Sequence, residues 1–351
     1  MKIHNYRGIR ESVEASERQP LITIIIPTYN RAVFLGRLLE RVNAETRHLD
    51  VVKVIVLNNA STDDSSQVLE RFKVDRPDWL IIEHEANCGP DANFIAGIKR
   101  VETPYIWIIG DDDMPRQGVI SHVVQILEQA EPDLLYLSSE WLDDVGVNRL
   151  SPQFDGGKMV DRDGFAQAVN VWVTFISGMI VNLSNVKARN PAFDPNRYNG
   201  TSLVHLGWVL PALINGEKFV IVDQQWVLAT KENSRGYKLI TVLGGNLTRI
   251  VEEVCGKHTS VAKAILGGAH WSYLPRLIWD TRRNRVDNFD QEDVMEAIDG
   301  LRSYPAYRWV LLPMEKLPLY LAGVLFLSLA VVRKFDGILV SKLGQKSLFF
   351  R

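Results

Sequence analysis

Three consecutive carboxylates, Asp111, Asp112 and Asp113, close the apolar run "YIWIIG" at residues 105–110. Ile106, Trp107, Ile108 and Ile109 have the character of a buried strand. Like charges crowded at the end of such a strand repel one another and resist desolvation, so the arrangement implies a chemical use. Three uses are open. A helix N-terminus favours Asp at its cap and first turn, which accounts for one carboxylate or two. A pair of carboxylates can run acid–base chemistry, as in glycosidases, although such a pair is not normally adjacent in sequence. A divalent cation, Mg²⁺ or Mn²⁺, takes hard oxygen ligands from one or two carboxylates and fills its shell with substrate phosphates.

The elements around the cluster favour metal and phosphate. "LITIII" (21–26) is a short β-branched run that reads as a buried strand ending at Pro27. Phe34, Leu35, Leu38, Leu39 and Val42 then recur at helical spacing, opposite Arg37, Glu40 and Arg41. "VVKVIVL" (51–57) and "LIIEHE" (80–85) read as further strands, with helices predicted from "SSQVLERF" and "ANFIAGIKRV". Strand and helix alternate up to the run at 105, which predicts an α/β fold with a mostly parallel sheet flanked by helices. Ligands of such sheets sit beyond the carboxyl ends of the strands. The polar clusters 27–31, 58–64, 87–93 and 111–113 all fall at such ends, so four loops are expected to meet at one crevice.

Beyond residue 118 the order changes. "VISHVVQILEQA" reads as a helix and "DLLYLSS" as a strand, and 172–186 is apolar and broken by glycine. Residues 202–217 read as a helix interrupted at Pro211, and "KFVIVDQQWVLAT" as a strand. The pattern past about 240 is helical.

"PTYNR", "NNASTDDS", "NCGPDANF" and "GDDD", in this order and at these strand ends, resemble the nucleotide-sugar half of family-two glycosyltransferases of the GT-A fold. The resemblance is strong over 21 to about 125 and weaker to about 235. Within the family it is nearest to transferases of O-antigen and capsule assembly, the abequosyltransferase-like group. It implies a nucleoside-diphosphate sugar as donor, a glycan hydroxyl as acceptor, Mg²⁺ or Mn²⁺ as cofactor, and inversion at the transferred carbon. It implies that Pro27, Thr28, Tyr29, Asn30 and Arg31 underlie base and ribose. Asn59 stands where relatives usually carry a base-reading Asp. Its carbonyl would accept from the N3–H of uracil or thymine, whereas its amide would donate to N3 of cytosine. Asp91 and Asn93 match a polar nucleotide contact. Asp111 and Asp113 match the ends of the DxD motif, with Asp113 on the metal, Asp111 at the ribose and the metal, and Asp112 between them.

An inverting transferase also needs a general base for the acceptor hydroxyl. Relatives supply it from an "ED" pair before the last strand; here no carboxylate stands between Thr201 and Gly216, and His205 falls at that place. His205 is the expected base, against the plain reading of a hydrogen-bonded helix histidine, and Asp194 and Asp223 are the fallbacks. Ser177 in "FISGM" is expected beneath the donor sugar, and Arg235, with Lys231, over the diphosphate. The organisation implied is a polar tail (1–20), a transferase domain (21–235, halves 21–125 and 126–235) and a helical C-terminal region (236–351).

Composition bounds the rest. With 46% apolar and 23% charged residues the chain is ordinary for a globular protein, and its net charge of −2 gives no case for nucleic acid. Residues 302–351 nevertheless hold eight Lys/Arg against two Asp/Glu. The segment "LPLYLAGVLFLSLAVV" (317–332) is uncharged and flanked by Lys316 and Arg333–Lys334, and is short for a span of about 20 residues. A helix lying at an anionic membrane surface through residues 305–335 is expected, against a buried core helix. Two cysteines, Cys88 and Cys255, and a polar N-terminus point to a cytosolic protein at the inner face of the membrane. Two rivals remain. A nucleotidyltransferase would want a glycine-rich phosphate loop, and "PTYNRAVF" has neither Gly nor Lys. A degenerate GT-A module that binds glycan would lack the "ED" pair, as here.

Overall fold

The computed structural model describes the backbone of residues 19–142, 154, 156–230, 238–283, 290 and 292–343, with side chains to 332. Two compact units emerge. The first holds residues to 162, 174–200 and 204–232; the second holds 163–173, 201–203 and the chain from 233.

The first unit is a nine-stranded sheet with helices. Its strands are β1 (Ile22–Thr28), β2 (Val52–Asn58), β3 (Leu80–Glu83), β4 (Tyr105–Ile108), β5 (Met114–Pro115), β6 (Leu134–Leu142), β7 (Lys158–Val160), β8 (Met179–Asn182) and β9 (Phe219–Thr230). The order is β3-β2-β1-β4-β8-β6-β9-β5, with β7 beside β9. β1 to β4 are parallel, as the strand–helix alternation predicts. α1 (Ala32–Thr46), α2 (Ser65–Asp75) and α3 (Pro90–Ile98) cross between them, α4 (Val119–Ala130) follows β5, and α5 (Arg162–Val169) follows β7 in the chain. The amphipathic face of α1 buries Leu35, Leu38, Leu39 and Val42 against Ile24 and Ile26 of β1.

Two local expectations are corrected. β1 does not stop at Pro27 but runs through it to Thr28, paired with β2. In a parallel ladder alternate residues bond to alternate sides. Ile25 O bonds Ile109 N on the β4 side, and Thr28 O accepts from Asn59 N on the β2 side. Pro27 therefore faces the β4 side beyond the last pair, Ile25–Ile108, where its missing N–H costs nothing. The helix over 202–217 is not interrupted at Pro211: α7 (Leu206–Asn215) passes through it, carried by the burial of Trp208, Val209, Leu210 and Leu213 on both sides.

The stretch 172–186 resolves into tight turns, then β8, then α6 (Leu183–Arg189). β8 is antiparallel to both β4 and β6. It is this reversal that brings Ser177, just before β8, to the carboxyl end of β4. β9 is parallel to β6 but bulges between Val222 and Val227.

The second unit is helical. Its helices include Leu247–Cys255, Ser260–Gly268, Leu274–Arg282 and the C-terminal Leu319–Leu343. In the last of these Ala322 and Leu329 are buried, and Phe326 stacks on Trp279 at 5.6 Å. Tyr320, Val324, Leu327 and Val331, spaced four, three and four apart, are exposed. The segment is thus apolar all round in sequence but half core and half surface in the fold. Among the described residues no helix is long and apolar enough to cross a membrane.

Candidate active site

The carboxyl ends of β1, β2 and β4 meet the start of β8 and the end of β9 around Asp111–Asp113. The cluster is buried, each residue no more than 8% exposed. Asp111 accepts from Thr28 Oγ1 at 2.7 Å and from Arg31 at 3.0 Å. Arg31 also donates to Asp112 at 3.0 Å. Asp113 accepts from Ser177 Oγ at 2.5 Å, and Ser177 Oγ in turn accepts from Gly110 N at 2.9 Å. One guanidinium against three carboxylates leaves two negative charges uncompensated when all are ionised.

The electrostatics follow. Burial raises the Asp111 carboxyl above its ordinary value in spite of Arg31. Asp112 is pushed up to about 6 by burial and by the charge of Asp111. Asp113 is raised well above its ordinary value, by burial and then by Asp112. On Arg31, burial opposes the charge, but Asp111 and Asp112 outweigh it and hold the guanidinium above its usual value. Clusters of this kind mark functional sites.

The donor set suits a hard divalent cation. It consists of carboxylate oxygens whose burial and repulsion a cation would relieve. Among the described residues no group of three or more His, Cys, Asp or Glu is placed to hold a metal ion by itself. Mg²⁺ or Mn²⁺ is commonly held by one or two carboxylates, with substrate phosphates in the remaining positions.

The other expected residues divide. Tyr29 is 42% exposed beside the cluster, as a stacking residue would be. Asn30 takes φ 53° and is tied to the β2–α2 loop: Oδ1 accepts from Thr62 N at 2.7 Å, and its N–H donates to Ser61 Oγ at 2.9 Å. It braces two loops together. Asp63 of the same loop accepts from Ala32 N at 2.9 Å, capping α1 from outside the helix. Asn93 is turned inward, contacting His84 Nε2 at 3.0 Å and donating to Leu57 O at 3.3 Å. Asp91 is buried in the first turn of α3. Asn59 is buried and bonded to the loop after β3. Lys231 and Arg235 lie outside the described residues.

Of the three expected bases, His205 stands at the N-cap position of α7, without a side-chain cap bond. It is buried, and neither ring nitrogen has a hydrogen bond of full geometry among the described residues. Burial lowers its pKa to about 4, with the Thr174 backbone, three residues before Ser177, opposing the shift. Asp223 is exposed in the β9 bulge, near enough to Tyr136 that its charge raises that phenol further after burial. Asp194 is not brought to the site. It bonds Asn196, which accepts from Lys99 at the C-terminal end of α3, the end remote from the 87–93 loop.

Two contributors escaped the sequence reading. Thr230 Oγ1 donates to Asp112 O at 2.7 Å, and its backbone also bonds Asp113. Trp141, 38% exposed near the end of β6, rests on Phe175 at 5.2 Å, next to the Ser177 turn. No motif marks either; each depends on strands that become neighbours only in the sheet. Within the 87–93 cluster, Asn87 and Cys88 lock Asn59.

Residues 23–175 match the Glycosyl transferase family 2 domain. The abequosyltransferase RfbV of Salmonella typhimurium is 33% identical over 94 residues, 26% of this chain and 28% of that protein. The uncharacterized glycosyltransferase EpsJ of Bacillus subtilis is 26% identical over 116 residues, 33% of each. The chain thus spans about a third of the length of these curated relatives. The fold is that of S. aureus TarS 1–349 in complex with UDP-GlcNAc, at TM-score 0.60 and 16% identity over 93% of this chain and 92% of that one. It is shared with the mannosyltransferase PcManGT of Pyrobaculum calidifontis in complex with GDP-Man and Mn²⁺, at TM-score 0.51 and 15% identity over 91% and 88%. The GT-A expectation is borne out.

Proposed function

We propose, for a chain whose residues 23–175 are a glycosyl transferase family 2 domain, that it transfers a sugar from a nucleoside diphosphate to a hydroxyl of a lipid-linked surface glycan, with inversion. The observation that carries this reading is the buried Asp111–Asp113 cluster, held by Thr28, Arg31 and Ser177 at the carboxyl ends of the strands. Asp113 and Asp111 would hold Mg²⁺ or Mn²⁺, which supplies neutralisation of the departing diphosphate. Thr28 and Arg31 orient the first two carboxylates, and Ser177 orients the third. Tyr29 stacks on the base. Asp91 and Asn93 shape the nucleoside end, and Trp141 with Phe175 offers an apolar face to the acceptor sugar. The acceptor hydroxyl attacks the anomeric carbon, the bond to the diphosphate breaks, and the hydroxyl proton passes to the His205 imidazole. His205 is neutral at working pH, so one imidazole nitrogen carries a lone pair for the acceptor's proton.

Metal-dependent release of nucleoside diphosphate from a panel of nucleotide sugars tests the reading. Turnover of one donor that stops with chelator and returns with Mn²⁺ is expected. Pyrophosphate release would point to nucleotidyl transfer, and no turnover with retained glycan binding to a degenerate module.

The membrane part of the reading concerns the C-terminal helix. Its outward stripe of Tyr320, Val324, Leu327 and Val331 is followed in sequence by Arg333 and Lys334. This supports a peripheral seat on an anionic inner leaflet, with each basic residue near the surface contributing about 1 kcal/mol. The full chain is expected to float with anionic vesicles, less so in high salt, and not with zwitterionic ones. Val324→Glu with Leu327→Glu should abolish flotation without unfolding, because both side chains are exposed. Unchanged flotation of that variant would sink the seat.

A further inference from the structure

The backbone ladder between β4 and β8 ends short of the acidic cluster. Its pairs are Tyr105–Asn182, Ile106–Val181 and Trp107–Ile180. Carried three residues further, the same register sets Ser177 opposite Gly110. The chain does not follow it there as a strand: Phe175–Gly178 is a tight turn, closed by Gly178 N on Phe175 O at 3.2 Å. Gly178 also lies so close to β6 that a Cβ there would stand 2.9 Å from Leu137 O. Side chains take over where the ladder stops. The Trp107 indole Nε1 donates to Ser177 O at 2.8 Å. Gly110 N donates to Ser177 Oγ at 2.9 Å, and Ser177 Oγ donates to Asp113 Oδ2 at 2.5 Å.

These bonds run in one direction. A backbone N–H can only donate, so Gly110 takes a lone pair of Ser177 Oγ and leaves the single hydroxyl hydrogen for Asp113. The indole N–H likewise can only donate, and it meets a carbonyl. Trp107 and Ser177 are both buried, so neither bond competes with bulk water. The neighbours Ile106, Ile108 and Ile109 offer only apolar surface. Trp107 adds one polar atom to this strand, and that atom goes to the turn that carries Ser177.

Resting on the reading of Asp113 as a metal ligand, we propose that Trp107 is a positioning residue for the metal site: its indole N–H fixes Ser177, and Ser177 fixes the Asp113 carboxylate. Trp107 itself touches neither substrate nor cation. With its Oδ2 held by the hydroxyl, the carboxylate keeps one orientation, and its remaining lone pairs are left to the cation. Groups that orient a metal ligand from behind govern affinity almost as the ligand does. Without the indole N–H, Ser177 O loses that donor in a buried place, and the turn can shift along β4 and draw the hydroxyl away from Asp113.

The test is calorimetric titration of the full chain with Mn²⁺ alone, beside urea denaturation in chelator. Ser177→Ala is expected to weaken Mn²⁺ binding about 10–100-fold, the usual effect of losing such a partner, and Trp107→Phe at least about threefold. In the double variant the Trp107→Phe loss should vanish against Ser177→Ala, because the indole acts only through Ser177. Replacing the Trp107 indole by benzothiophene, close to it in shape but without the N–H, should reproduce Trp107→Phe and so separate the bond from the packing. A merely structural tryptophan would lower the urea midpoint and leave Mn²⁺ affinity unchanged. That result in the 107 variants, or additive losses in the double variant, would overturn the relay and leave the metal at Asp113 standing. The benzothiophene variant decides the matter if Trp107→Phe does not fold. No Mn²⁺ binding by the wild type would overturn the metal reading and the relay with it.

Discussion

Asp113→Ala is expected to lower turnover by about 10³-fold or more, because a lost metal ligand removes several kcal/mol of charge stabilisation at 1.36 kcal/mol per tenfold. The same substitution is expected to raise the melting temperature of the metal-free protein. The folded-state pKa values of all three carboxyls lie above their ordinary values. A carboxyl of this kind binds protons more readily folded than unfolded. Its cost to stability therefore grows as pH rises from the ordinary value through the folded one, a window ending at about 6 for Asp112. Removing Asp113 lifts its share of that cost, and Ser177 Oγ keeps the Gly110 N–H it accepts. Scanning calorimetry with chelator at pH 7.5 reads the change in melting temperature. Addition of Mn²⁺ should raise the wild-type melting temperature and leave the variant unmoved. Asp113→Asn, which preserves the shape, should behave alike. Near wild-type turnover of either variant would remove the metal assignment.

His205→Ala is expected to cost about 10²–10⁴-fold in turnover, the usual contribution of a positioned acid or base, with little change in donor affinity. Burial sets where the pH dependence falls. With the imidazole lowered to about 4, the acidic limb of the wild-type profile should lie near pH 4, well below an exposed histidine. Stability should carry the same signature. Between the unfolded value near 6.5 and about 4 the unfolded chain binds a proton that the folded chain refuses. His205 therefore destabilises the fold as pH falls through that window, by up to about 3 kcal/mol. The acidic cluster has the opposite sign over the same range, so the readout is the difference in urea midpoint between wild type and His205→Gln at pH 7 and pH 5, which should narrow in acid. If His205→Ala keeps turnover within a few-fold while Asp223→Asn loses it, the base is the carboxylate in the β9 bulge.

The alternation of apolar strands with amphipathic helices determines, by itself, the parallel half of the sheet, because burial on both faces requires continuous β-branched runs and the crossovers require helical periodicity. Strand ends are visible as abrupt changes from apolar to polar, so Thr28, Arg31, Asn59 and the three aspartates could be gathered into one crevice before any coordinates. Which atoms meet there is a different matter. The Thr230–Asp112 bond joins residues 118 apart and the Ser177–Asp113 bond residues 64 apart. Both depend on β8 entering the sheet antiparallel and β9 arriving beside β6, and no local preference encodes either. The orientation of Asn59 was open in sequence, since an amide offers both a donor and an acceptor, and backbone N–H groups of a separate loop closed it. The C-terminal segment shows the same division: its uncharged composition announces a helix, but only packing against Trp279 decides which face is core and which is left to the surface.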